Sequence, residues 1–488
     1  MTRGYPHGEG SNFDEMNSAK KVVNRPDFLE GRCWQRQDPA MRTAPSSGLI
    51  VAGMQSSDGK TAVTCMLLSA LIERGLPVQP FKVGPDFIDP GYHSRFAGVA
   101  SRNLDLWLMG DAGIVHDTQV HGAHKISIVE GVMGLFDGSD VQSHQGSTLA
   151  VARCLGWPVL LVVPSAKAGR SIAVSLNGFV AEAGVDMIAG VILNGVSGHS
   201  HASYLREAIA PLRVPVLGAI PICSELSWPE RHLGLQAIEE HDLSARTALA
   251  ALAEKYLDLP TILETVVPAP SGPSEQDLPE KQFRLAVARD KAFHFYYEAN
   301  LDYLRSLGAE LVPFSPLTDS KLPPDLDGLF IGGGFPEVFA NELSQNQAIR
   351  SEIFSALRDG LSCYAECGGL MYLAEELVTK SGKHFPMVGV IPGAVEMTEG
   401  LQHFGYCECS ELAGVQGETF RGHEFHYSRW TAESRLANLW TVRRKRIGST
   451  RREGFRTNRL RASYVHLYFP GSQAAVRSLM GKTEFATL

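Results

Sequence analysis

The sequence predicts an α/β protein with two successive domains, each built on a largely parallel β-sheet. From Gly48 onwards, short apolar strands alternate with amphipathic helices, and a second series of the same kind starts near residue 283. This alternation is typical of parallel strands joined by crossover helices. The chain has 488 residues, which is enough for two cores, because single cores stop growing at about 250–300 residues.

The predicted domain boundaries follow changes in composition. Residues 1–46 mix Gly, Pro, Ser and charge without apolar periodicity, so we expect a disordered, dispensable extension or a start site misassigned upstream of Met41. Residues 47–264 are predicted to form the first domain and 283–488 the second. Between them, "TVVPAPSGPSEQDLPEKQ" (265–282) has the composition of a linker.

Composition narrows the functional classes. A net charge of −8 gives no general attraction for nucleic acid or acidic membranes, so an anionic substrate must meet a local basic pocket. Mean hydropathy is −0.06, and we find no apolar run of the roughly 18 residues that a membrane span needs. Eight scattered cysteines suggest reduced thiols and therefore a cytoplasmic protein. Cys407 and Cys409 lack a second pair at metal-ligand spacing, so we interpret them as half-buried thiols.

A phosphate-binding loop is predicted near the N-terminus of the first domain. "LIVAGMQSSDGKTAVT" combines a strand, a glycine-rich turn and a helix, although its glycines lie one residue further apart than in the usual motif. Backbone N–H groups and the helix dipole at such a turn favour phosphate oxygens. Lys60 is predicted to reach the terminal phosphates of ATP and Thr61 to bind Mg²⁺. The nucleotide-binding candidates are Gly53, Ser56, Gly59, Lys60, Thr61 and Asn194.

Acidic residues follow two other predicted strands. In "KVGPDFIDPGYH" a predicted strand ends with Asp86 and Asp89, and in "KISIVEG" another ends with Glu130. Carboxylates at the carboxyl ends of parallel strands face the ligand crevice, and Mg²⁺ prefers such oxygen ligands. We therefore predict Asp86 and Glu130, with Thr61, as metal ligands. Each acid could instead cap the helix or turn that follows.

A second reactive site is predicted at Cys367 in "YAECGGLMYL". We expect an exposed nucleophilic thiol in a tight strand-to-helix turn. Backbone N–H groups of Gly368, and of Gly333 and Gly334 in the "GGGFPE" loop, are candidates to hold an oxyanion. A nucleophilic thiol needs a base, and His466 in "ASYVHLYFPGS" is the preferred candidate. The alternatives are the two histidines of "RGHEFHYS", His423 and His426.

Several motifs strongly resemble the cobyrinic acid a,c-diamide synthases, in the same order from about Gly48 to near the C-terminus. They are "QPFKVGPDFIDPGYH", "SRNLDLW", "PERHLGL", "VARDKAFHFYY", "FIGGGFPEVFANEL", "YAECGGLMYL", "RGHEFHYS" and "ASYVHLYF". The resemblance implies a P-loop domain similar to dethiobiotin synthetase and a class I type glutaminase domain, with Cys367 as nucleophile and His466 as its partner. Many class I glutaminases have His-x-Glu, but this chain has Tyr468 in place of the acid, so we expect a dyad.

The resemblance also implies a reaction. Glutamine would supply ammonia through an internal path, and ATP would activate acetate carboxylates a and c of a tetrapyrrole as acyl phosphates. Lys82, Asp89, Arg102, Lys167 and Arg170 are the candidates to bind the substrate, although each cation could be an ordinary surface residue. The expected partners are glutamine and a polycarboxylate tetrapyrrole, without nucleic acid or membrane, and a homodimer is left open.

The phosphate loop departs from the family pattern. Met54, Ser57 and Asp58 replace Thr, Gly and an apolar residue, and Pro164 replaces an aspartate after a later strand. A carboxylate at Asp58 is unfavourable near a triphosphate unless it faces away or binds metal.

Two alternatives to cobyrinate amidation follow. The first is the same chemistry on sirohydrochlorin, its nickel form or sirohaem, and the second is a non-catalytic nucleotide-dependent scaffold. The basic run from Arg443 to Arg461 is predicted to form a solvated hairpin rather than a nucleic-acid site, and its charge could attract an acidic macrocycle.

Overall fold

The computed structural model describes residues 46–139, 142–184, 186–223, 243–268, 279–412, 419–470 and 476. The predicted N-terminal extension up to residue 45, "PERHLGL" and most of the linker lie outside these residues. Residues 46–268 are called the N-terminal region below, and residues 279–470 the C-terminal region.

The N-terminal region is built on one eight-stranded sheet. Its strands are β1 (Ser47–Gly53), β2 (Val78–Val83), β3 (Arg102–Leu104), β4 (Ile126–Glu130), β5 (Val159–Pro164), β6 (Ile188–Val196), β7 (Val216–Pro221) and β8 (Val267–Pro268). The strand order is β3-β2-β4-β1-β5-β6-β7, all parallel, and β8 pairs antiparallel with the start of β1.

Helices connect these strands. They are α1 (Lys60–Glu73), α2 (Ile88–Ala97), α3 (Leu106–Gly122), α4 (Thr148–Leu155), α5 (Ser171–Ala183), α6 (His199–Ile209), α7 (Leu243–Tyr256) and α8 (Leu259–Glu264), with a 3₁₀ turn at Ala210–Leu212.

Strand β1 shows why the sheet is central. Leu49 and Val51 pack into the core on one face, whereas Ile50 and Ala52 pack into the core on the other, and all four are buried. Successive side chains of a strand point to opposite faces, so a strand covered on both faces must be apolar throughout. This explains the continuous apolar run of β1. The phosphate loop follows the carboxyl end of β1 and therefore lies at that edge of the sheet.

The C-terminal region contains a parallel sheet with an antiparallel edge. The strands are β9 (Phe283–Ala288), β10 (Phe293–Phe295), β11 (Ala309–Phe314), β12 (Gly328–Ile331), β13 (Gly333–Gly334), β14 (Ser362–Glu366), β15 (Ala374–Val378), β16 (His384–Pro386), β17 (Ile391–Met397), β18 (His403–Glu411), β19 (Phe420–His426), β20 (Ser428–Thr431), β21 (Trp440–Arg444), β22 (Thr450–Glu453), β23 (Phe455–Arg456), β24 (Leu460–Ser463) and β25 (His466–Leu467). Its main sheet has the order β11-β9-β12-β14-β24-β23, parallel except for the β23–β24 pair.

Three smaller sheets complete the C-terminal region. The five-stranded sheet β22-β21-β18-β19-β25 is antiparallel, the four-stranded sheet β16-β15-β17-β20 is mixed, and β10 pairs with β13. Helices are α9 (Glu298–Ser306), α10 (Ala340–Gln345), α11 (Gln347–Arg358) and α12 (Gly368–Leu373), with a 3₁₀ turn at Ser434–Leu436. The α/β fold class is confirmed. The basic run includes the end of β21, the turn after it and β22, which pairs antiparallel with β21 as a hairpin requires.

Two properties of the described residues bear on the composition. None of their helices combines the length and apolar character needed to cross a membrane. The seven cysteines among them form no disulfide bonds, and Cys407 and Cys409 are fully rather than half buried.

An ion pair links the two regions. Arg102 donates from Nε and Nη2 to both carboxylate oxygens of Asp117, at 2.9 and 2.8 Å, and its Nη1 lies 2.8 Å from Asp302 Oδ2 on α9. The Arg102 side chain is only 7% exposed. We predicted that Arg102 binds substrate, but its donors are engaged by these two acids. The sequence could not predict these partners of Arg102, because they lie 15 and 200 residues away along the chain.

We expect Arg102→Ala to lower the free energy of unfolding by about 3 kcal/mol, because it leaves Asp117 buried without its partner. Arg305→Ala is the matched control, since Arg305 pairs with the same Asp302 but is 38% exposed, and it should cost less than about 1 kcal/mol. Urea unfolding followed by fluorescence measures both. Equal losses for the two variants would contradict a structural role for Arg102.

Candidate active sites

The predicted phosphate loop connects β1 to α1. Gly59 has φ of 90°, and a Cβ there would lie 2.3 Å from Asn194 Nδ2, so this position requires glycine. Asn194, at the end of β6, donates from Nδ2 to the Asp58 carbonyl oxygen at 2.8 Å. Gly53 ends β1, and Ser56 is exposed on the loop. Asn194 therefore shapes the loop from a neighbouring strand.

The Asp58 carboxylate is hydrogen-bonded within the phosphate loop. Its Oδ2 accepts a hydrogen bond from the Gln55 backbone N–H at 2.8 Å, and the residue is 3% exposed. Burial raises the pKa of its carboxyl group. The departure from the family pattern is thus accommodated, because the carboxylate closes the loop on itself.

Lys60 and Thr61 begin α1 at the mouth of this loop. Lys60 Nζ donates to the Gln55 carbonyl oxygen at 3.0 Å, and Thr61 Oγ1 donates to Glu130 Oε1 at 2.9 Å. Burial, with the nearby charge of Lys82, lowers the pKa of Lys60. A lysine held by a neutral carbonyl is available to an incoming phosphate.

The acidic residues predicted to gather at the sheet edge do so around Lys82. Lys82 Nζ lies 2.7 Å from Asp89 Oδ2, 2.9 Å from Glu130 Oε1 and 3.9 Å from Asp86 Oδ2. His93 Nε2 lies 2.6 Å from the other oxygen of Glu130. Burial and then the charge of Asp89 raise the pKa of Asp86 to about 6. Burial opposes ionisation of Glu130, but Lys82 outweighs it and holds the pKa of Glu130 below its ordinary value.

The predicted metal ligands are therefore close together but already paired. Within the described part of the chain, no group of three His, Cys, Asp or Glu side chains is arranged to hold a metal. Thr61 Oγ1 and Glu130 Oε1 nevertheless place two oxygen ligands 2.9 Å apart beside the phosphate loop. This donor set fits Mg²⁺, which takes few protein ligands and completes its shell with phosphate oxygens and water.

The cations proposed to bind substrate occupy different environments. Lys82 and Asp89 are buried partners of each other. Lys167 and Arg170 are exposed in the loop after β5, and β5 is the parallel neighbour of β1. They therefore lie at the same edge of the sheet as the phosphate loop.

The thiol site lies at the carboxyl end of β14. Cys367 has φ of 47° and ψ of −101°, a strained conformation for a residue with a side chain, and its N–H donates to the Ser463 carbonyl oxygen at 2.7 Å. Strain of this kind at a strand-to-helix turn is typical of nucleophiles. The expectation of an exposed thiol is wrong, because Cys367 is only 6% exposed beneath the glycine-rich loop.

That loop meets the turn through glycines. A Cβ at Gly368 would lie 3.1 Å from the Gly334 backbone nitrogen, and one at Gly333 would lie 2.5 Å from His466 Cε1. The backbones therefore approach as closely as only glycine permits. Gly332 N–H donates to the Tyr296 hydroxyl at 2.8 Å, so Gly332 is committed to holding the loop.

His466 lies beside both Cys367 and Glu366. Its Nδ1 is 3.4 Å from Glu366 Oε2, and both side chains are 3% exposed. Burial disfavours the charged imidazole, but the neighbouring Cys367 thiol and Glu366 carboxylate outweigh it and raise the pKa of His466 to about 10. An imidazolium beside a thiol is the pairing that activates cysteine nucleophiles.

The predicted dyad needs correction, because an acid does stand next to His466. Glu366 Oε1 accepts hydrogen bonds from the Tyr364 hydroxyl at 2.7 Å and from the Leu467 N–H at 3.0 Å. These bonds orient its second oxygen toward His466. Sequence reasoning looked for the acid two residues after the histidine, whereas it lies immediately before the cysteine.

The competing histidines have other partners. His423 Nδ1 is 2.8 Å from the Tyr297 hydroxyl, and its ring stacks on His466 at 5.0 Å. Burial and the charge of His466 hold the pKa of His423 well below its ordinary value. His426 stacks on Tyr464 at 4.0 Å and turns Nδ1 to a backbone carbonyl.

The two sites meet at Phe87. This residue follows Asp86 in the N-terminal region, and its ring lies 5.0 Å from the ring of His466 and 5.6 Å from that of His423. It also contacts Phe295 and Tyr297, at 5.2 and 4.8 Å. The sequence did not single out Phe87, because an aromatic residue next to two acids has the pattern of an ordinary core residue.

Both regions of the chain match known protein families. Residues 49–235 match the CobQ/CobB/MinD/ParA nucleotide binding domain, and residues 284–474 match the CobB/CobQ-like glutamine amidotransferase domain. Three similar proteins are each named cobyrinate a,c-diamide synthase. The one from Listeria innocua is 42% identical over 89% of this chain and 98% of its own length. Those from Synechocystis and Streptococcus sanguinis are both 41% identical, over 87% and 86% of this chain and 91% and 95% of their own.

We expect Glu366→Gln to shift the alkaline limb of the pH profile for glutamine hydrolysis about one to two pH units toward lower pH. The reason is that loss of the nearby negative charge lowers the pKa of His466. The amide keeps an oxygen for the Tyr364 and Leu467 bonds. The pH dependence of kcat/KM measures the shift.

Glu376→Gln is the control, since it removes a carboxylate 3.0 Å from the exposed His384. It should leave the profile unchanged. An unshifted limb in Glu366→Gln would show that Glu366 does not act on His466.

Proposed function

We propose that this chain, which belongs to the family of the cobyrinate a,c-diamide synthases, converts the a and c acetate carboxylates of a corrinoid into amides. It is a glutamine-hydrolysing ligase driven by ATP. The contact of Phe87 with His466 carries the assignment of one joint reaction, because it joins the acid cluster to the thiol site. The boundaries 47–264 and 283–488 are proposed for its two domains.

In the first step, Cys367 attacks the side-chain amide carbon of glutamine. The oxygen that becomes negative is stabilised by backbone N–H groups of Gly333, Gly334 and Gly368. His466 gives its proton to the departing nitrogen, and Glu366 stabilises the imidazolium before that transfer. Ammonia leaves, and water cleaves the thioester to release glutamate and restore the thiol.

In the second step, the terminal phosphoryl group of ATP moves to the acceptor carboxylate. Lys60 contacts the terminal phosphates, and the loop from Gly53 to Gly59 surrounds them with backbone N–H groups. Thr61 and Glu130 would hold Mg²⁺, which would neutralise phosphate charge. Lys167 and Arg170 contact other carboxylates of the polyanionic acceptor. The product is an acyl phosphate, whose phosphate is a far better leaving group than hydroxide.

In the third step, ammonia attacks the acyl phosphate and displaces phosphate. Phe87 contacts Tyr297, His423 and His466, and a dry passage at this contact would keep ammonia in its neutral, nucleophilic form. We propose that ammonia passes through this contact when Phe87 moves.

The alternatives are less well supported. The names of the relatives favour cobyrinate over sirohydrochlorin, its nickel form and sirohaem. A non-catalytic scaffold would need neither a strained Cys367 nor a charged His466 beside it. A cytoplasmic location, a homodimer and the absence of nucleic-acid or membrane partners stay predictions.

We expect Cys367→Ala to abolish glutamine-driven amidation of cobyrinate and to retain most of the ammonia-driven reaction, because only nitrogen release needs the thiol. Lys60→Gln should lose at least about 100-fold with either nitrogen source, since both need the acyl phosphate. Mass spectrometry of the corrinoid after incubation with ATP and magnesium measures both. Equal loss of the two reactions in Cys367→Ala would rule out separate sites.

We expect Phe87→Ala to raise the ratio of glutamate formed to amide formed several-fold, because removal of the ring opens the contact to solvent and lets ammonia escape. Phe179→Ala is the matched control, since Phe179 on α5 also packs against another ring, that of Phe136 at 4.8 Å, and is not among the rings around Phe87. Parallel assays of glutamate and corrinoid amide give the ratio. An unchanged ratio in Phe87→Ala would remove Phe87 from the ammonia path.

A further inference from the structure

Two large aromatic rings are exposed side by side on the antiparallel sheet of the C-terminal region. Phe404 on β18 is 57% exposed and Phe425 on β19 is 48% exposed. They are direct cross-strand partners, and their ring centroids lie 5.8 Å apart at an interplanar angle of 74°. Tyr427 extends the group, with its ring 5.7 Å from Phe425. A cluster of this kind on a protein surface marks a binding site more often than single exposed residues do.

The cluster lies on the sheet face that contacts the N-terminal region. Side chains two residues apart on a strand point the same way. Tyr406, two residues after Phe404, donates its hydroxyl to Asp105 Oδ2 at 2.6 Å. His423, two residues before Phe425, contacts Phe87 at 5.6 Å. Phe404 and Phe425 therefore continue the inter-region interface into solvent.

This position is close to the acid cluster of the ATP site. The Cα atoms of His423 and Phe425 are separated by about 7 Å along an extended strand. Phe87 bridges the rest of the distance, because it touches the ring of His423 and directly follows Asp86. A large ring system resting on Phe425 can thus extend a side chain toward the site of phosphoryl transfer.

Positive charge borders the aromatic rings. Arg444 donates from Nη2 to the Phe404 backbone carbonyl oxygen at 2.9 Å, at the edge of the cluster. Lys445 follows it in the chain, with Nζ 5.9 Å from the Tyr406 ring centroid. Carboxylates around a flat apolar ring system complement this combination of aromatic faces and cations.

We propose that Phe404 and Phe425 form the surface against which the conjugated macrocycle of the acceptor packs. The inference rests on the proposed function and adds to it the part of the C-terminal region that selects a tetrapyrrole. The macrocycle is favoured over a second copy of the chain, because the rings continue the inter-region interface beside the phosphoryl-transfer site and Lys445 places a positive charge near the adjoining Tyr406 ring.

The test is the KM for cobyrinate in the variant Phe404→Ala/Phe425→Ala, measured at saturating ATP and glutamine. We expect KM to rise about tenfold or more, because two aromatic contacts are lost, while kcat falls less than threefold. Phe404→Tyr/Phe425→Tyr keeps both rings and should restore KM to within threefold. Tyr204→Ala is the matched control, since it removes a ring that is 50% exposed on α6.

The outcomes are separable. If the wild-type chain amidates cobyrinate and the double alanine variant keeps its KM, the docking surface is wrong and the proposed function stands. If the wild-type chain does not amidate cobyrinate, the proposed function is wrong, and this inference, which rests on it, is wrong as well. Sedimentation velocity tests the alternative that a second copy of the chain covers the rings. If the wild-type chain is a dimer, the double alanine variant is a monomer and KM is unchanged, the rings belong to an interface between copies.

Discussion

The packing of Phe87 against the ring of His466 is the contact on which the joint chemistry depends. Phe87 comes from the N-terminal region, directly after an acid of the ATP site, whereas His466 is the base of the thiol site. Two reactions that could occur on separate proteins are thereby brought within a few side chains of each other. The rings of Phe295, Tyr297 and His423 pack around Phe87 at this contact.

Each reactive side chain is held by residues from another element. Cys367 is strained at the end of β14, and Ser463 on β24 accepts its backbone hydrogen bond. His466 owes its charge to Glu366 and Cys367, which together outweigh the cost of burial. At the other site, Lys82 offsets much of the repulsion among three carboxylates, and Asn194 holds the phosphate loop from β6. The catalytic groups are therefore arranged before any ligand arrives.

Much of this architecture could be predicted from sequence, since it depends on local signals. The apolar run of β1, the glycine-rich loop and the Lys60 helix are contiguous, and their order alone predicts a phosphate site. The gathering of Asp86, Asp89 and Glu130 also followed, because carboxyl ends of parallel strands share one edge. Interactions across the chain could not be predicted in this way. Glu366 was missed because its partner lies 100 residues away, and Arg102 was misassigned because the acids that engage it belong to other elements. The burial of Cys367 depends on the glycine-rich loop that covers it, and the sequence pattern does not show where that loop lies in the fold.

The most direct test of a joint reaction is the origin of the amide nitrogen. The enzyme is given glutamine labelled with ¹⁵N in its side-chain amide, together with excess unlabelled ammonium, and the corrinoid product is analysed by mass spectrometry. If ammonia passes directly between the two sites, the product keeps the ¹⁵N label at every external ammonium concentration tested, as long as glutamine saturates the enzyme. If the label is diluted in proportion to the external pool, ammonia crosses bulk solvent, and the contact at Phe87 does not join the two reactions.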